Sequence, residues 1–206
     1  MGHDGHDHDH DHDHKHGHDH HHGHKHGHHH HPPHAGHGHS PAAEEHKSRA
    51  PAQVSAFVVT CSDSRDEAQD ESGKALRSGL EMVGHTLCGY KVVKDEPEAI
   101  RAALAEAQAA GARAVFFNGG TGVGRRDSTV ETLRPLFEKE LPGFGEIFRM
   151  LSFKEIGSAA MMSRATAGTY QGMIIFAMPG SPQAVRLALR ELILPELGHL
   201  VRELTR

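Results

Sequence analysis

The 206-residue chain has only two cysteines, Cys61 and Cys88, far apart and with no CxxC spacing. That excludes a disulfide framework and fits two small hydrophobes kept in a reducing compartment. No apolar stretch approaches the roughly 20 residues that a membrane span requires. The longest near the C-terminus is Met173–Met178, and no apolar targeting segment opens the chain. A cytoplasmic protein with no membrane partner is expected. Basic character is lacking as well. Residues 1–50 carry eight acidic and four basic side chains, a net −4, against −5 for the whole chain. The rest is close to neutral, so neither part offers a basic footprint for nucleic acid.

What is abundant is histidine, and it is unevenly placed. Twenty-one of the 23 histidines lie within residues 1–46. There they alternate with Asp, Gly and Lys, and no side chain from Gly2 to His46 is aliphatic and larger than alanine. Such a segment cannot build a core, so residues 1–50 are expected to be a disordered His-rich tail and linker, broken by Pro32, Pro33 and Pro41. Neutral imidazoles ligate Zn²⁺, Ni²⁺ and Cu well. His6, His8, His10, His12 and His14 recur at every second residue, with denser groups at His20, His21 and His22 and at His28, His29, His30 and His31. A chain without fixed geometry suits buffering or storage of a transition metal, not a catalytic centre.

Residues 51–206, about 150 in number, are one domain's worth of sequence. Val54–Cys61 is a β-rich run that opens into Ser62-Asp63-Ser64-Arg65. Ser72 is positioned to cap a helix through Leu76, Leu80 and Val83 that stops at Gly84. Leu87–Val93 reads as the next strand. Glu96-Pro97 opens a helix burying Ile100, Ala103, Leu104 and Ala107, and a short strand follows at Ala114–Phe117. Asn118 leads into a glycine-rich loop, Gly119–Asp127, and Ser128-x-x-Glu131 has the form of a capping box. Ser163-Arg164 falls in a polar break. Strand Met173–Met178 leads to Pro179-Gly180-Ser181-Pro182, with Ser181 as N-cap, and Pro195 kinks or divides the last helix. This alternation predicts an α/β fold, a three-layer α/β/α sandwich on a mostly parallel sheet, with its site at the strands' carboxyl ends.

The chemistry converges on the glycine loop. Gly119, Gly120, Thr121 and Gly122 either let backbone N–H groups approach an anion or form no more than a tight turn. Arg125 and Arg126 can add bidentate contacts, and Asp127 beside them points to a bound cation such as Mg²⁺. Neither the P-loop nor the dinucleotide fingerprint fits: no Lys-Ser or Lys-Thr follows, and Arg125 stands where the last glycine should be. Asp95, at the end of the second strand, reads either as a metal ligand shared with Asp127 or as an acid opening the helix at Pro97. His85 and His199 have no partner at metal spacing and read as structural or exposed.

Gly119-Gly120-Thr121-Gly122, Arg126-Asp127, Thr129, Glu131, Pro142-Gly143-Phe144-Gly145-Glu146, Ser163-Arg164-Ala165 and Pro179-Gly180-Ser181-Pro182, in that order, closely resemble the MoaB/MogA family of molybdenum cofactor biosynthesis. Asp63-Ser64-Arg65 and Asp70-x-Ser72-Gly73 match that family's first loop. The resemblance implies homo-trimers or hexamers that bind molybdopterin. It also implies transfer of AMP from Mg-ATP to the pterin's terminal phosphate, with the molybdate-insertion protein as downstream partner. By it Asp95 and Asp127 are the functional acids. The glycine loop holds phosphates, and Ser163, Arg164 and Pro179–Pro182 line the pterin and nucleotide pocket. Lys94, where the family commonly has proline, and Asn118, in place of a hydroxyl residue, depart from the pattern. Some members bind pterin with little transferase activity, so a pterin carrier is the rival reading, and a metal store on an oligomeric platform is a third.

Overall fold

The structure, a computed structural model, describes residues 51 and 53–206. The histidine tail proposed to bind metal lies outside the described residues. From Ser55 onward strands and helices alternate: β1 Ser55–Cys61, α1 Glu71–Met82, β2 Thr86–Val93, α2 Pro97–Ala109 and β3 Ala114–Asn118. A five-residue helix α3, Thr129–Leu133, runs into a 3₁₀ turn at Arg134–Leu136. Then come β4 Lys139–Glu140, α4 Pro142–Ile156, a 3₁₀ segment Gly157–Met162, β5 Thr166–Tyr170 and β6 Met173–Met178. The chain closes with α5 Pro182–Ala188, a π-turn Leu189–Ile193 and α6 Leu197–Glu203.

The six strands form one sheet in the order β2-β1-β3-β6-β5-β4. The four strands at one side are parallel, whereas β5 and β4 are antiparallel additions. Because successive side chains of a strand point to opposite faces, β1 divides its residues between two cores. Ala56 and Val58 join Leu76, Leu80, Phe116, Phe148, Val185 and Ile193 on one face. Phe57, Val59 and Cys61 join Ile100, Leu104, Phe117 and Leu133 on the other. Stacking of Phe116 on Phe176, with ring centroids 5.4 Å apart, spans neighbouring strands. Helices cover both faces, so the expected three-layer sandwich is present.

Several local expectations change. Asp70, not Ser72, caps α1, its carboxylate accepting from the Gly73 N–H; Ser72 is buried in the first turn and Val83 is exposed. Ser128 and Glu131 form no capping box, because Ser128 makes no side-chain hydrogen bond to its own helix. The break around Ser163 leads through buried Ala165 straight into β5, where Thr166 and Ala167 are buried. Ser181 does cap α5 through the Ala184 N–H, with Pro182 as first helical residue, and the chain divides around Pro195.

Candidate functional site

Parallel strands deliver their C-terminal ends to one edge, and there four loops meet. Gly119, at the end of β3, has φ +96°, and a Cβ on it would lie 2.2 Å from the Cys61 carbonyl oxygen. A Cβ on Gly180 would lie 3.1 Å from the Gly119 Cα. The two glycine-bearing turns therefore touch at the strands' carboxyl ends, where the alternation of elements places the site. Gly120, with φ +63°, runs against the side chain of Asp95: a Cβ there would be 2.2 Å from Asp95 Oδ2. Side chains rarely adopt these backbone angles, so glycine is required at both positions.

Asp95 is nearly buried and holds the start of α3. Its Oδ1 accepts from the Ser128 N–H at 3.0 Å, the Ser128 hydroxyl at 2.9 Å and the Thr129 hydroxyl at 3.4 Å. It takes the place that the sequence assigns to Ser128, capping a helix 33 residues away in the chain. Asp127 folds back on its own loop, its Oδ2 accepting from the Gly124 N–H at 2.6 Å. Arg164 ties the far side of the site to this loop. Its N–H donates to the Thr121 carbonyl at 3.0 Å, its guanidinium donates to the Asp127 carbonyl at 3.3 Å, and it pairs with Glu131. That pair holds the Glu131 carboxyl below its usual range, the Arg164 hydrogen bond being the main cause.

Under the loop is a cavity of about 210 Å³ lined by Thr121, Gly122, Phe148, Ser163, Pro179 and Ser181 among others. Five of the predicted binding residues therefore share one cavity, whereas Arg164 lines a separate one of about 780 Å³ with Glu131 and Arg134. Thr121 is buried with its hydroxyl unpartnered. Arg125 is exposed and makes no ion pair among the described residues. Arg126 does not face the loop's interior. Its guanidinium meets Asp63 Oδ2 at 3.0 Å and Glu96 at 3.5 Å.

Behind the loop lies a polar network that local spacing does not reveal. Asn118, fully buried, donates through Nδ2 to the Thr60 hydroxyl at 2.8 Å, and Thr60 donates to Asp70. Asp70 also accepts from Ser72, Gly73 N–H and Tyr90, the last at 2.7 Å. Burial works to raise the Asp70 pKa, but the four hydrogen bonds outweigh it and the carboxyl sits below its ordinary value. Burial and the Asp70 hydrogen bond together push Tyr90 well above the usual phenol range, and the Arg77 guanidinium stacks 4.0 Å from its ring centroid. Cys61 on the other face is buried, its thiol pushed up to about 12, chiefly by burial, so it is an inert core thiol.

No three His, Cys, Asp or Glu among the described residues converge as a metal-binding group. Asp95 has one oxygen committed to α3, and Asp127 has one committed to Gly124. That donor set fits an ion carried in by a phosphate substrate, since Mg²⁺ is often held by one or two carboxylates together with substrate phosphates and water. His85 accepts from the Val54 N–H, and His199 lies against Glu196 and Glu203. Among the described residues no helix is long and apolar enough to cross a membrane.

An α/β/α sandwich with a glycine cradle at its parallel edge defines the class of protein, and comparison agrees. The family described as "Probable molybdopterin binding domain" matches residues 57–199. Molybdenum cofactor biosynthesis protein B of Bacillus subtilis is 53% identical over 165 residues, covering 79% of this chain and 97% of that protein. A crystal structure of a molybdenum cofactor biosynthesis protein B superposes with TM-score 0.73 at 48% identity, over 77% of this chain and 99% of the other. The tungsten cofactor synthesizing protein MoaB of Pyrococcus furiosus gives TM-score 0.70 at 39% identity, over 76% and 100%. The chain belongs to the MoaB/MogA family of molybdenum cofactor biosynthesis proteins.

Proposed function

We propose that the domain adenylylates molybdopterin. A terminal phosphate oxygen of the pterin attacks the α-phosphorus of Mg-ATP, a new P–O bond forms, and the bond to pyrophosphate breaks. The observation that carries this reading is the meeting of Gly119–Gly122 and Pro179–Ser181 around one cavity, with a carboxylate on each side of the loop. Reactions of this type need positioning and charge neutralisation more than covalent help. Backbone N–H groups of Gly120–Gly122 meet phosphate oxygens, Arg125 adds an unpaired cation, and the free oxygen of Asp127 faces the ion brought in by ATP. Asp95 keeps α3 and Gly120 in place and adds negative charge beside the loop. The neutral cavity of Thr121, Phe148, Ser163 and Ser181 suits a planar heterocycle, not a phosphate.

The apolar face of α4 supports assembly into homo-trimers or hexamers, since Met150, Phe153 and Ile156 are each more than half exposed, with Met161 beyond them 80% exposed. The histidine tail buffers a transition metal, Zn²⁺, Ni²⁺ or Cu, as an accessory, and the molybdate-insertion protein receives the adenylylated pterin. Asp127→Ala tests the chemistry. It is expected to leave molybdopterin binding within about twofold and to abolish pyrophosphate release; unchanged turnover would remove Asp127 from the mechanism.

A further inference from the structure

The loop after β1 is tied to every other loop of the site, and one acid makes most of the ties. Asp63 Oδ2 receives two contacts from the Arg126 guanidinium, from Nε at 3.0 Å and from Nη2 at 3.0 Å. Asp63 Oδ1 accepts from the Asp95 N–H at 3.3 Å. Arg65, two residues on, donates to the Gly180 carbonyl at 2.9 Å. A single carboxylate thus joins the first loop, the β2–α2 connection and the glycine loop.

Arg126 belongs to that glycine loop, next to Arg125 and Asp127, yet its charge is spent on acids at the rim. Its side chain is 65% exposed and that of Asp63 40% exposed. A pair this wet is weak and exchanges readily for another anion. Phosphate is the anion best matched to the guanidinium fork, because it accepts both N–H groups at once. We infer that Asp63 is a positioning residue that parks Arg126 away from the cradle, and that an incoming phosphate group takes Arg126 from it and unlatches the first loop. The Arg126 hydrogen bond, the largest influence on Asp63, holds its carboxyl below the ordinary range. The pair is therefore fully charged at neutral pH.

Two consequences separate parking from simple scaffolding. Removing the charge of Asp63 while keeping its shape leaves Arg126 only the longer contact with Glu96 at 3.5 Å, so phosphate binding tightens. The gain depends on Arg126 and disappears when Arg126 is absent. Only the identity of the anion, a nucleotide phosphate, rests on the transferase reading; the latch itself does not.

The test is calorimetric titration of the full-length chain with inorganic pyrophosphate and with ATP, at pH 8 so that the tail imidazoles are neutral. Four proteins are compared: wild type, Asp63→Asn, Arg126→Ala and the double variant. Asp63→Asn is expected to tighten pyrophosphate binding about three- to fivefold, the scale of one exposed ion pair. Arg126→Ala should weaken it, and Asp63→Asn should add nothing on that background. Weaker binding on introducing Asp63→Asn in both backgrounds, or no change in either, overturns the inference. If the wild type binds neither anion, the transferase reading fails, and hydrogen exchange judges the latch alone. Both single variants should speed exchange at residues 62–66 and 119–127 by similar factors and the double variant no further. Additive or absent effects reject it.

Discussion

Replacing Asp95 by alanine removes the acceptor that three donors share. The Ser128 N–H, the Ser128 hydroxyl and the more distant Thr129 hydroxyl all end on Asp95 Oδ1. Loss of a helix-capping acceptor costs about 0.5–2 kcal/mol, and the charge of the carboxylate strengthens its hydrogen bonds. Since Ser128 is half-buried and can partly turn to water, the expected total for Asp95→Ala is about 2–3 kcal/mol. For a domain of this size that lowers Tm by about 5–10 °C. Asp95→Asn keeps an oxygen in the same place and should lose no more than about 1 kcal/mol. Urea unfolding of the three proteins, followed by far-UV circular dichroism, measures both values. An Asp95→Ala protein that unfolds at the wild-type midpoint would refute the view that Asp95 holds α3. In the transferase assay, Asp95→Asn should lose most of its turnover while staying folded. That separates the charge from the cap.

Three further expectations can be checked directly. Asp70 has a folded pKa below its unfolded value, so its stabilisation is present above the ordinary carboxylate range and lost as pH falls through the folded pKa; the gap in urea midpoint between wild type and Asp70→Asn should therefore shrink between pH 6 and pH 3, and a gap independent of pH would contradict the assignment. Phe153→Asp places a charge on the exposed face of α4, and sedimentation velocity should show a shift from trimer or hexamer toward monomer, whereas an unchanged assembly would move the interface elsewhere. Calorimetry with Zn²⁺, Ni²⁺ and Cu²⁺ should show several equivalents bound by the full chain, few by a form lacking residues 1–46, and binding that fades below about pH 6.5 as imidazoles protonate; no loss of metal on deletion would end the buffering role.

How much of this could be read from sequence depends on the range of the interaction. The strands β1, β3 and β6 are legible because Val-Val-Thr-Cys, Val-Phe-Phe and Ile-Ile-Phe are β-rich runs buried on both faces. Helix α2 is legible because Ile100, Ala103, Leu104 and Ala107 repeat at helical spacing and Pro97 marks its start. The short β4 is exposed and carries no pattern, and β5, Thr-Ala-Gly-Thr-Tyr, is too small and polar to announce itself. Ser128-x-x-Glu131 has the form of a local cap, but Asp95 and Arg164, 33 residues away on either side, claim its two ends. Likewise Arg126 reads as a phosphate ligand in the sequence, and only the fold shows that Asp63, 63 residues earlier, holds it at the rim. The cavity residues Phe148 and Ser152 come from α4, which no motif of the glycine loop specifies. Spacing thus locates the loops, while partners across the sheet edge are fixed by folding alone.

Incubation of a protein lacking residues 1–46 with molybdopterin and Mg-ATP tests AMP transfer itself. Pyrophosphate release and adenylylated pterin are followed together. Stoichiometric appearance of both products is expected, abolished by Asp127→Ala. Tight pterin binding with neither product would contradict AMP transfer and leave a pterin carrier.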